Sequence, residues 1–272
     1  MLSKRQRFEK GETLQNGRQA CIKRPYLIEF ERLQKLEIAT GDLADMADLC
    51  KASGAIPMCT AFTIDSLELV KQMGFDVLKI ASYDCASAQM LLQANEIFTE
   101  IFVSTGSTFD SEIEEATRIV SAEKLRLLHC VTIYPTPLKL MNLRKINKLR
   151  KVCSVVGFSD HSNAVDDGIK AAVAARYFGA SFVERHFTIL GPKDSKDGVV
   201  SIGGKEVKEL AELYSSPSSA SETWLKNYFP EFQELYANLR IGLSEEELLN
   251  RDYYRGRFVN KNSSGIRYHN HV

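Results

Sequence analysis

The sequence predicts an α/β fold, a parallel sheet or (β/α) barrel in which strands alternate with helices. From residue 56 onwards, short apolar runs of strand length alternate with segments of helical periodicity, which is typical of parallel strands joined by right-handed crossovers. Polar side chains follow the apolar runs, at the strand ends where such folds keep their chemistry. Six strands are predicted, and an eight-stranded barrel needs two more.

Six apolar runs define the predicted strands, and Pro57 is tolerated because it lies near the start of the first one. They are residues 56–62, 75–81, 98–104, 125–131, 154–158 and 182–186. Helical periodicity fills the gaps between them. The predicted helices are residues 64–73, 86–94, 110–120, 141–152 and 164–177, with 205–214 and 222–239 after the last strand.

The two ends of the chain lack this alternation. Residues 1–26 are polar and basic and are predicted to form an arm, and a helical pattern follows over residues 26–50. Residues 259–272 are predicted to be a disordered tail. The sequence therefore predicts a partial barrel domain over residues 27–258 between these two segments.

Composition excludes several classes of protein. The 272 residues are 44% hydrophobic, enough for one large α/β core. The 35 basic and 35 acidic residues balance, so no nucleic acid or membrane partner is indicated. No signal peptide and no apolar run of membrane-spanning length is found. The six cysteines form no C-x-x-C pair, and we expect a reduced, cytoplasmic protein.

Two predicted strand ends carry a histidine with polar residues beside it. The stretch 156–162 (VGFSDHS) contains His161, and its echo 184–188 (ERHFT) contains His186. Side chains two apart along a strand share a face, so Ser159 lies on the face of His161. Two imidazoles from neighbouring strand ends are a plausible pair of ligands for a divalent metal. Two hydrogen-bonded core histidines without a metal are the equal alternative.

The other strand ends carry hydroxyl groups and a lysine. Each serine, taken alone, is better explained as a helix N-cap. Lys79, however, lies in an apolar strand and needs an anionic partner there. The whole set therefore favours a site for a phosphorylated, anionic ligand. Its members are Thr60, Phe62, Lys79, Ser82, Asp84, Ser104, Thr105, Thr132, Tyr134, Ser159, His161, Glu184 and His186.

Five motifs in this order resemble those of the sialic acid synthase (N-acetylneuraminate synthase) family. Residues 79–84 (KIASYD) resemble Lys-Ile-x-Ser-x-Glu, and 104–106 (STG) resemble Ser-Thr-Gly-Met. Residues 128–137 (LHCVTIYPTP) resemble Leu-His-Cys-Thr-x-x-Tyr-Pro-x-Pro. Residues 156–162 resemble Gly-Leu-Ser-Asp-His-Thr, and residues 184–188 are identical to Glu-Arg-His-Phe-Thr. Five motifs together are far more specific than any one of them.

The resemblance implies a TIM-type (β/α) barrel that condenses phosphoenolpyruvate with N-acetylmannosamine or a related amino sugar and releases phosphate. It implies that His161 and His186 hold a divalent metal, Mn²⁺ first, with Mg²⁺ or Co²⁺ as alternatives, which polarises the sugar aldehyde. The residues implied for phosphoenolpyruvate are Lys79, Ser82, Ser104, Ser159 and Thr60. Those implied for the sugar are Asp84, Tyr134, Thr132, Phe62 and Asp197. For His129, which matches a family residue, a structural role is expected.

The chain also departs from the family pattern. The family's first two strands carry a catalytic glutamate, a lysine and a glutamine, and this sequence starts after them; it also stops where the family continues into an antifreeze-like domain. Asp84 replaces a glutamate, Ser107 a methionine and Thr132 an asparagine or serine. We therefore expect a TIM-type barrel lacking its first two strands.

Alternatives to a synthase remain open. One is a truncated, non-catalytic remnant that binds a phosphorylated ligand or a full-length homologue. Another is an aldolase that uses Lys79 for a Schiff base. Because six strands leave two unpaired edges, a homo-oligomer, in the simplest case a dimer, is expected to cover them.

Overall fold

The structure is a computed structural model that describes residues 3–4, 31–237, 240–254, 258–262 and 265–268. The described residues fall into two compact units. The first comprises Met1–Val103, Ser107–Leu125 and Ser244–Val272, and the second comprises Ser104–Gly106 and Arg126–Leu243. The predicted domain over residues 27–258 is thus divided between two units.

The described strands form two sheets. In chain order they are β1 (Ser3–Lys4), β2 (Met58–Ala61), β3 (Val77–Ile80), β4 (Glu100–Ser104), β5 (Leu125–Cys130), β6 (Val156–Asp160), β7 (Val183–Phe187), β8 (Ser201–Ile202), β9 (Phe258–Asn262) and β10 (Gly265–Tyr268). Strands β2 to β8 belong to one sheet, in which they follow one another in chain order. The pairs β2–β3, β3–β4, β5–β6, β6–β7 and β7–β8 are parallel. The predicted alternation of strands and helices is confirmed.

One strand of the parallel sheet was not predicted from the sequence. Strand β8 lies in a stretch that was predicted as a loop up to Ser201, and it pairs with β7 through His186↔Ser201 and Phe187↔Ile202. The prediction of six strands is therefore wrong for the described residues, which contain seven in this sheet. A strand of two residues gives no periodic signal in a sequence.

The helices follow the strands that they were predicted to follow, with bounds that differ at one or both ends. They are Thr40–Ala52, Leu67–Gln72, Ala88–Ile97, Asp110–Ile119, Arg144–Leu149, Ala164–Asp167, Lys170–Tyr177, Gly204–Ser215, Ser218–Tyr228, Glu234–Ala237 and Glu245–Tyr254. Short 3₁₀ turns lie at Ile64–Ser66, Ser82–Asp84, Leu138–Leu140, Gly198–Val200 and Pro230–Gln233. No described helix combines the length and the hydropathy that crossing a membrane requires.

Two predicted helices are interrupted for local reasons. The helix predicted over residues 164–177 breaks at Gly168, whose φ of 58° leaves the right-handed helical region. The helix predicted over residues 222–239 ends at Tyr228, because Pro230 lacks the backbone N–H that a helix interior needs. Both breaks follow from backbone chemistry that a periodicity count does not register.

Each unit has its own buried core. In the first, Leu78, Ile80 and Ile101 are fully buried, and in the second so are Val156 and Phe158. These residues come from strands β3, β4 and β6 of the sheet, and their complete burial is typical of parallel strands covered on both faces. At Gly157, the Phe182 ring lies 2.4 Å from the position that a Cβ would take. A glycine is needed there, two residues before Ser159 in the strand that leads to His161.

The chain ends differ from the prediction where they are described. The tail predicted to be disordered contains β9 and β10, which form an antiparallel sheet with β1. In β10 the apolar residues Ile266 and Tyr268 alternate with Gly265 and Arg267, a short pattern that a purely compositional judgement overlooked. Of the predicted N-terminal arm, Ser3–Lys4 is described as β1, and the remainder lies outside the described residues. The five described cysteines are free thiols, and Cys21 lies outside the described part.

Candidate active site

The predicted site residues fall into one group in each unit. The second unit carries Ser104, Thr132, Tyr134, Ser159, His161, His186 and Asp197. The first unit carries Thr60, Phe62, Lys79, Ser82 and Asp84. Within each group, neighbouring parallel strands place their ends side by side, which is the property of the fold that collects such residues.

His161 follows β6 and is only 4% exposed. Its Nδ1 lies 3.2 Å from the carbonyl oxygen of Val131, which can only accept, so in the neutral ring this nitrogen carries the proton and donates. The opposite nitrogen, Nε2, therefore has a lone pair, and it accepts a hydrogen bond of 2.8 Å from the hydroxyl of Tyr134. Cys130 Sγ lies 3.8 Å from Nδ1. A backbone carbonyl thus fixes which nitrogen of His161 is basic.

His186 lies in β7, beside His161. The two ring centroids are 5.3 Å apart and the ring planes meet at 79°. His186 Nδ1 lies 3.5 Å from Asp197 Oδ2. The Tyr134 ring is 4.0 Å from the ring of His161 and 6.1 Å from that of His186. The second unit therefore brings four of the predicted residues together.

The paired imidazoles are oriented in a way that could serve a divalent metal. Each has one nitrogen directed at a carbonyl or carboxylate oxygen, an arrangement that orients a metal-bound imidazole through its other nitrogen. In the described part of the chain, no three His, Cys, Asp or Glu side chains cluster as a metal site. A divalent metal held by these two imidazoles would need further oxygen ligands, from water, substrate or protein, to complete its coordination.

A buried ion pair lies directly behind the two histidines. Asp160 and Arg185 occupy paired positions in β6 and β7, with Asp160 Oδ1 2.8 Å from Arg185 Nη1 and side chains that are 0% and 4% exposed. Because side chains alternate along a strand, the pair points to the face opposite His161 and His186. In the chain, Asp160 directly precedes His161 and Arg185 directly precedes His186. The ion pair therefore constrains the backbone on which both histidines lie.

Further hydrogen bonds extend this ion pair into the following loop. Arg185 donates to the carbonyl of Asp160, to Ser162 Oγ at 2.9 Å, and to the carbonyl of Gly168 at 3.0 Å. Asp160 Oδ1 accepts from the backbone N–H of Ser162 at 2.8 Å. The turn that contains His161 is thus held on both sides. Sequence reasoning singled out neither charge, although their opposite signs at matching motif positions were a usable signal.

Ser104, Thr132 and Ser159 are buried at neighbouring strand ends of the second unit. Ser104 is 1% exposed, and its Oγ has no hydrogen-bond partner among the described residues. A buried hydroxyl without a partner needs a water or ligand atom to satisfy it. Ser104 therefore has the property expected of a residue that binds a ligand oxygen.

The first unit places Lys79 on β3, paired in register with Thr60 on β2. The next turn, Ser82–Asp84, is separated from this strand by Ala81 alone, with Ser82 9% and Asp84 1% exposed. Phe62, at the end of β2, is 42% exposed. A lysine, hydroxyls and a buried carboxylate therefore lie on two adjacent strand ends.

Helix capping does not account for the serines at the strand ends. The residues in the N-cap positions of the following helical segments are Ala81, Phe109 and Asn163, not Ser82, Ser104 and Ser159. Only Asn163 among these caps accepts backbone hydrogen bonds through its side chain, from Val165 and Asp166. The capping alternative is therefore wrong for all three serines.

His129 is a core residue, as expected. It is 1% exposed, donates from Nε2 to the carbonyl of Met141 at 2.7 Å, and stacks on Phe158. Burial, helped by the positive charges of Lys145 and Arg240, lowers the pKa of His129 to about 3. The ring is therefore neutral at physiological pH and supports β5 and β6 from within the core.

Comparison with known proteins decides the family. The sequence model of the NeuB family matches residues 3–224, which is most of the chain. The chain belongs to the NeuB family. It is similar to sialic and other nonulosonic acid synthases, which confirms the resemblance read from the five motifs.

Curated relatives show the same likeness over part of their length. N,N'-diacetyllegionaminic acid synthase of Campylobacter jejuni is 29% identical over 188 residues, covering 67% of this chain and 55% of the relative. SpsE of Bacillus subtilis, a spore coat polysaccharide biosynthesis protein, is 29% identical over 67% of this chain and 50% of its own length. The chain thus spans about half the length of the curated relatives it matches.

Solved structures confirm the TIM-type (β/α) barrel fold. The crystal structure of Bacillus subtilis SpsE superposes with a TM-score of 0.66 at 25% identity, covering 82% of this chain and 65% of that chain. N-acetylneuraminic acid synthetase of Leptospira borgpetersenii, solved in complex with citrate, superposes with a TM-score of 0.60 at 28% identity, covering 79% of this chain and 70% of that chain.

The ion pair behind the histidines yields the first prediction. Asp160→Asn leaves the guanidinium of Arg185 buried without its counter-charge, which costs about 3–5 kcal/mol of unfolding free energy. Urea denaturation of the wild type and the variant measures this loss. The double variant Asp160→Asn, Arg185→Met removes both charges, and its loss should be smaller than the sum of the two single losses. Strictly additive losses would contradict a direct interaction.

Proposed function

We propose that this chain carries a catalytic centre of the nonulosonic acid synthase type. In the proposed reaction, phosphoenolpyruvate condenses with the aldehyde of N-acetylmannosamine or a related N-acetylated amino sugar. Carbon 3 of phosphoenolpyruvate bonds the aldehyde carbon, water adds to carbon 2, and phosphate leaves. The pairing of His161 with His186 at adjacent strand ends carries this proposal, together with membership of the family.

His161 and His186 are the proposed protein ligands of a divalent metal, with Mn²⁺ as the first candidate and Mg²⁺ and Co²⁺ as alternatives. A metal at this position supplies Lewis acidity toward the sugar aldehyde. The protein's own part is to hold both imidazoles side by side. The Val131 carbonyl and the Asp197 carboxylate support this orientation, since each lies beside the Nδ1 of one histidine.

The anion-binding role is proposed for the lysine and the hydroxyls. Lys79 offers three N–H donors and a positive charge, and Ser104 has a buried hydroxyl that its own surroundings do not satisfy. Carboxylate and phosphate oxygens of phosphoenolpyruvate match such donors through charge-assisted hydrogen bonds. The full proposed set is Thr60, Lys79, Ser82, Ser104 and Ser159.

The sugar-binding role is proposed for residues that carry acceptors and ring faces. Asp84, buried at the end of β3, and Thr132, buried after β5, are suited to hydroxyl and amide groups of a sugar. Tyr134, with 53% of its surface exposed, offers a ring face and a hydroxyl. Phe62 and Asp197 complete the proposed set. A homodimer and a cytoplasmic location remain predictions beside it.

Phosphate release tests the proposed reaction. Phosphoenolpyruvate, Mn²⁺ and a panel of N-acetylated hexosamines should give inorganic phosphate in amounts equal to a new ulosonic acid product. Omitting the sugar or adding a chelator should abolish both. A pyruvyl adduct trapped on Lys79 by borohydride would instead favour aldolase chemistry. Absence of turnover with every sugar, in a folded protein that binds Mn²⁺ and phosphoenolpyruvate, would contradict catalysis by this chain.

Metal binding has a prediction of its own, because the hydroxyl of Tyr134 engages the lone pair of His161 Nε2. A metal must displace that hydrogen bond, so Tyr134→Phe should bind Mn²⁺ about 2- to 10-fold more tightly, the equivalent of one neutral hydrogen bond. His161→Ala and His186→Ala should each abolish binding. Isothermal titration calorimetry decides between these outcomes. Wild-type affinity in both alanine variants would remove the proposed metal site.

A charge-removal prediction addresses phosphoenolpyruvate. Lys79→Met should weaken its binding by about 1.5–3 kcal/mol, the scale of a hydrogen bond to a charged group. Lys71→Met is the matched control, since Lys71 lies on a surface helix and pairs with Asp76. Calorimetry should show normal binding for this control. An unchanged dissociation constant for Lys79→Met would mean that the anion binds elsewhere or not at all.

A further inference from the structure

A helix far along the chain contacts the turn that follows β4. Arg251, in the helix Glu245–Tyr254, donates from Nη1 to the carbonyl oxygen of Ser107 at 2.6 Å. From the same helix, the carbonyl of Glu247 accepts a hydrogen bond of 3.0 Å from Ser107 Oγ. All three residues are at least nine-tenths buried. One residue of the turn is thus held through its main chain and its side chain at once.

The guanidinium of Arg251 has two more contacts in this region. It pairs through Nη2 with Glu112 Oε1, and it lies over the ring of Phe109 with the central carbon 4.5 Å from the ring centroid. The other carboxylate oxygen of Glu112 accepts from the backbone N–H of Phe109 at 2.9 Å, which caps the helix Asp110–Ile119. Arg251 therefore connects the turn to the start of the next helix.

The turn needs such support because Ser107 has a φ of 49°. That region favours glycine, and a serine there costs free energy that the surroundings must offset. Two hydrogen bonds to the helix Glu245–Tyr254 hold Ser107 in this conformation. Their loss would let the turn relax toward an ordinary conformation.

The same turn and the same helix contact the segment that carries Ser82 and Asp84. Thr108 Oγ1 donates to the carbonyl oxygen of Ser82 at 3.1 Å, in a buried position. Tyr254, from the last turn of the helix, stacks on Tyr83 with ring centroids 4.4 Å apart and an interplanar angle of 21°. Two independent contacts therefore lead from the helix Glu245–Tyr254 to the Ser82–Asp84 turn, one of them through the turn at Ser107.

We propose that Arg251 is a positioning residue for Ser82 and Asp84. It acts through the Ser107–Thr108 turn and does not itself touch a substrate. This proposal rests on the proposed function, which gives Ser82 to phosphoenolpyruvate and Asp84 to the sugar. A guanidinium suits this position because its planar group donates from Nη1 to a carbonyl and from Nη2 to a carboxylate at the same time. A lysine ammonium lacks this fixed geometry.

The test uses the variants Arg251→Met and Arg251→Lys in the full chain. Arg251→Met should bind phosphoenolpyruvate about tenfold more weakly, since small displacements of binding groups cost at least that much. Arg251→Lys, which keeps the charge, should fall between Arg251→Met and the wild type. In both variants KM for phosphoenolpyruvate should rise more than kcat falls. Mn²⁺ affinity should be unchanged, because the contacts of Arg251 are with Ser107, Glu112 and Phe109 and involve neither histidine.

Hydrogen–deuterium exchange supplies a readout that does not depend on catalysis. The backbone N–H of Asp84 donates to Ala81, and that of Ser87 donates to Asp84. Exchange of residues 82–87 should speed up by about tenfold in Arg251→Met, the scale of one lost hydrogen bond. If the wild type binds no phosphoenolpyruvate, the proposed function fails, yet faster exchange confined to this segment and the Ser107 turn still supports positioning.

Two controls separate positioning from general destabilisation. Val120→Ala removes buried apolar volume after the helix Asp110–Ile119 without touching the turn, and Arg118→Met breaks surface ion pairs on that helix. Both should leave exchange at residues 82–87 and phosphoenolpyruvate binding near wild-type values, even where the melting temperature drops. Two results overturn the proposal: unchanged exchange at 82–87 in folded Arg251→Met, or acceleration no greater than in a control of equal melting temperature.

Discussion

The buried ion pair between Asp160 and Arg185 constrains the candidate site more than any other interaction. Two charges at 0% and 4% exposure are stable only as partners, so β6 and β7 must keep the register that pairs them. A shift of β7 by one residue relative to β6 would move Arg185 off the face of Asp160 and His186 off the face of His161. The same register therefore fixes the ion pair on one face and His161 beside His186 on the other.

The functional side chains at the strand ends were largely predictable, because each follows an apolar run that is visible in the local sequence. Apolar runs located β2 to β7, and the position of His161 and His186 at neighbouring strand ends made them a plausible pair of metal ligands. For Ser104 and Ser159, the sequence alone was compatible with helix capping as well as with ligand binding. Only the structure separates these possibilities, because Phe109 and Asn163 occupy the N-cap positions.

Features that depend on distant or very short segments were not predictable. Strand β8 is too short for a periodic signal, and it is defined by its parallel pairing with β7. The break at Gly168 depends on one backbone angle. The contact of Arg251 with Ser107 joins positions 144 residues apart, and no spacing rule reaches that far. The tail was misjudged from its composition alone, whereas β9 and β10 pair with each other along it.

The central claim is that this register makes His161 and His186 ligands of one divalent metal. Electron spin-echo envelope modulation of the protein loaded with one equivalent of Mn²⁺ tests it directly, because the method detects nitrogen nuclei bound to the ion. The account predicts couplings from two imidazole nitrogens in the wild type and, because both histidines are needed to bind the ion, no imidazole coupling in His161→Ala or His186→Ala. Absence of nitrogen coupling in the wild type, or an unchanged spectrum in both variants, would contradict it.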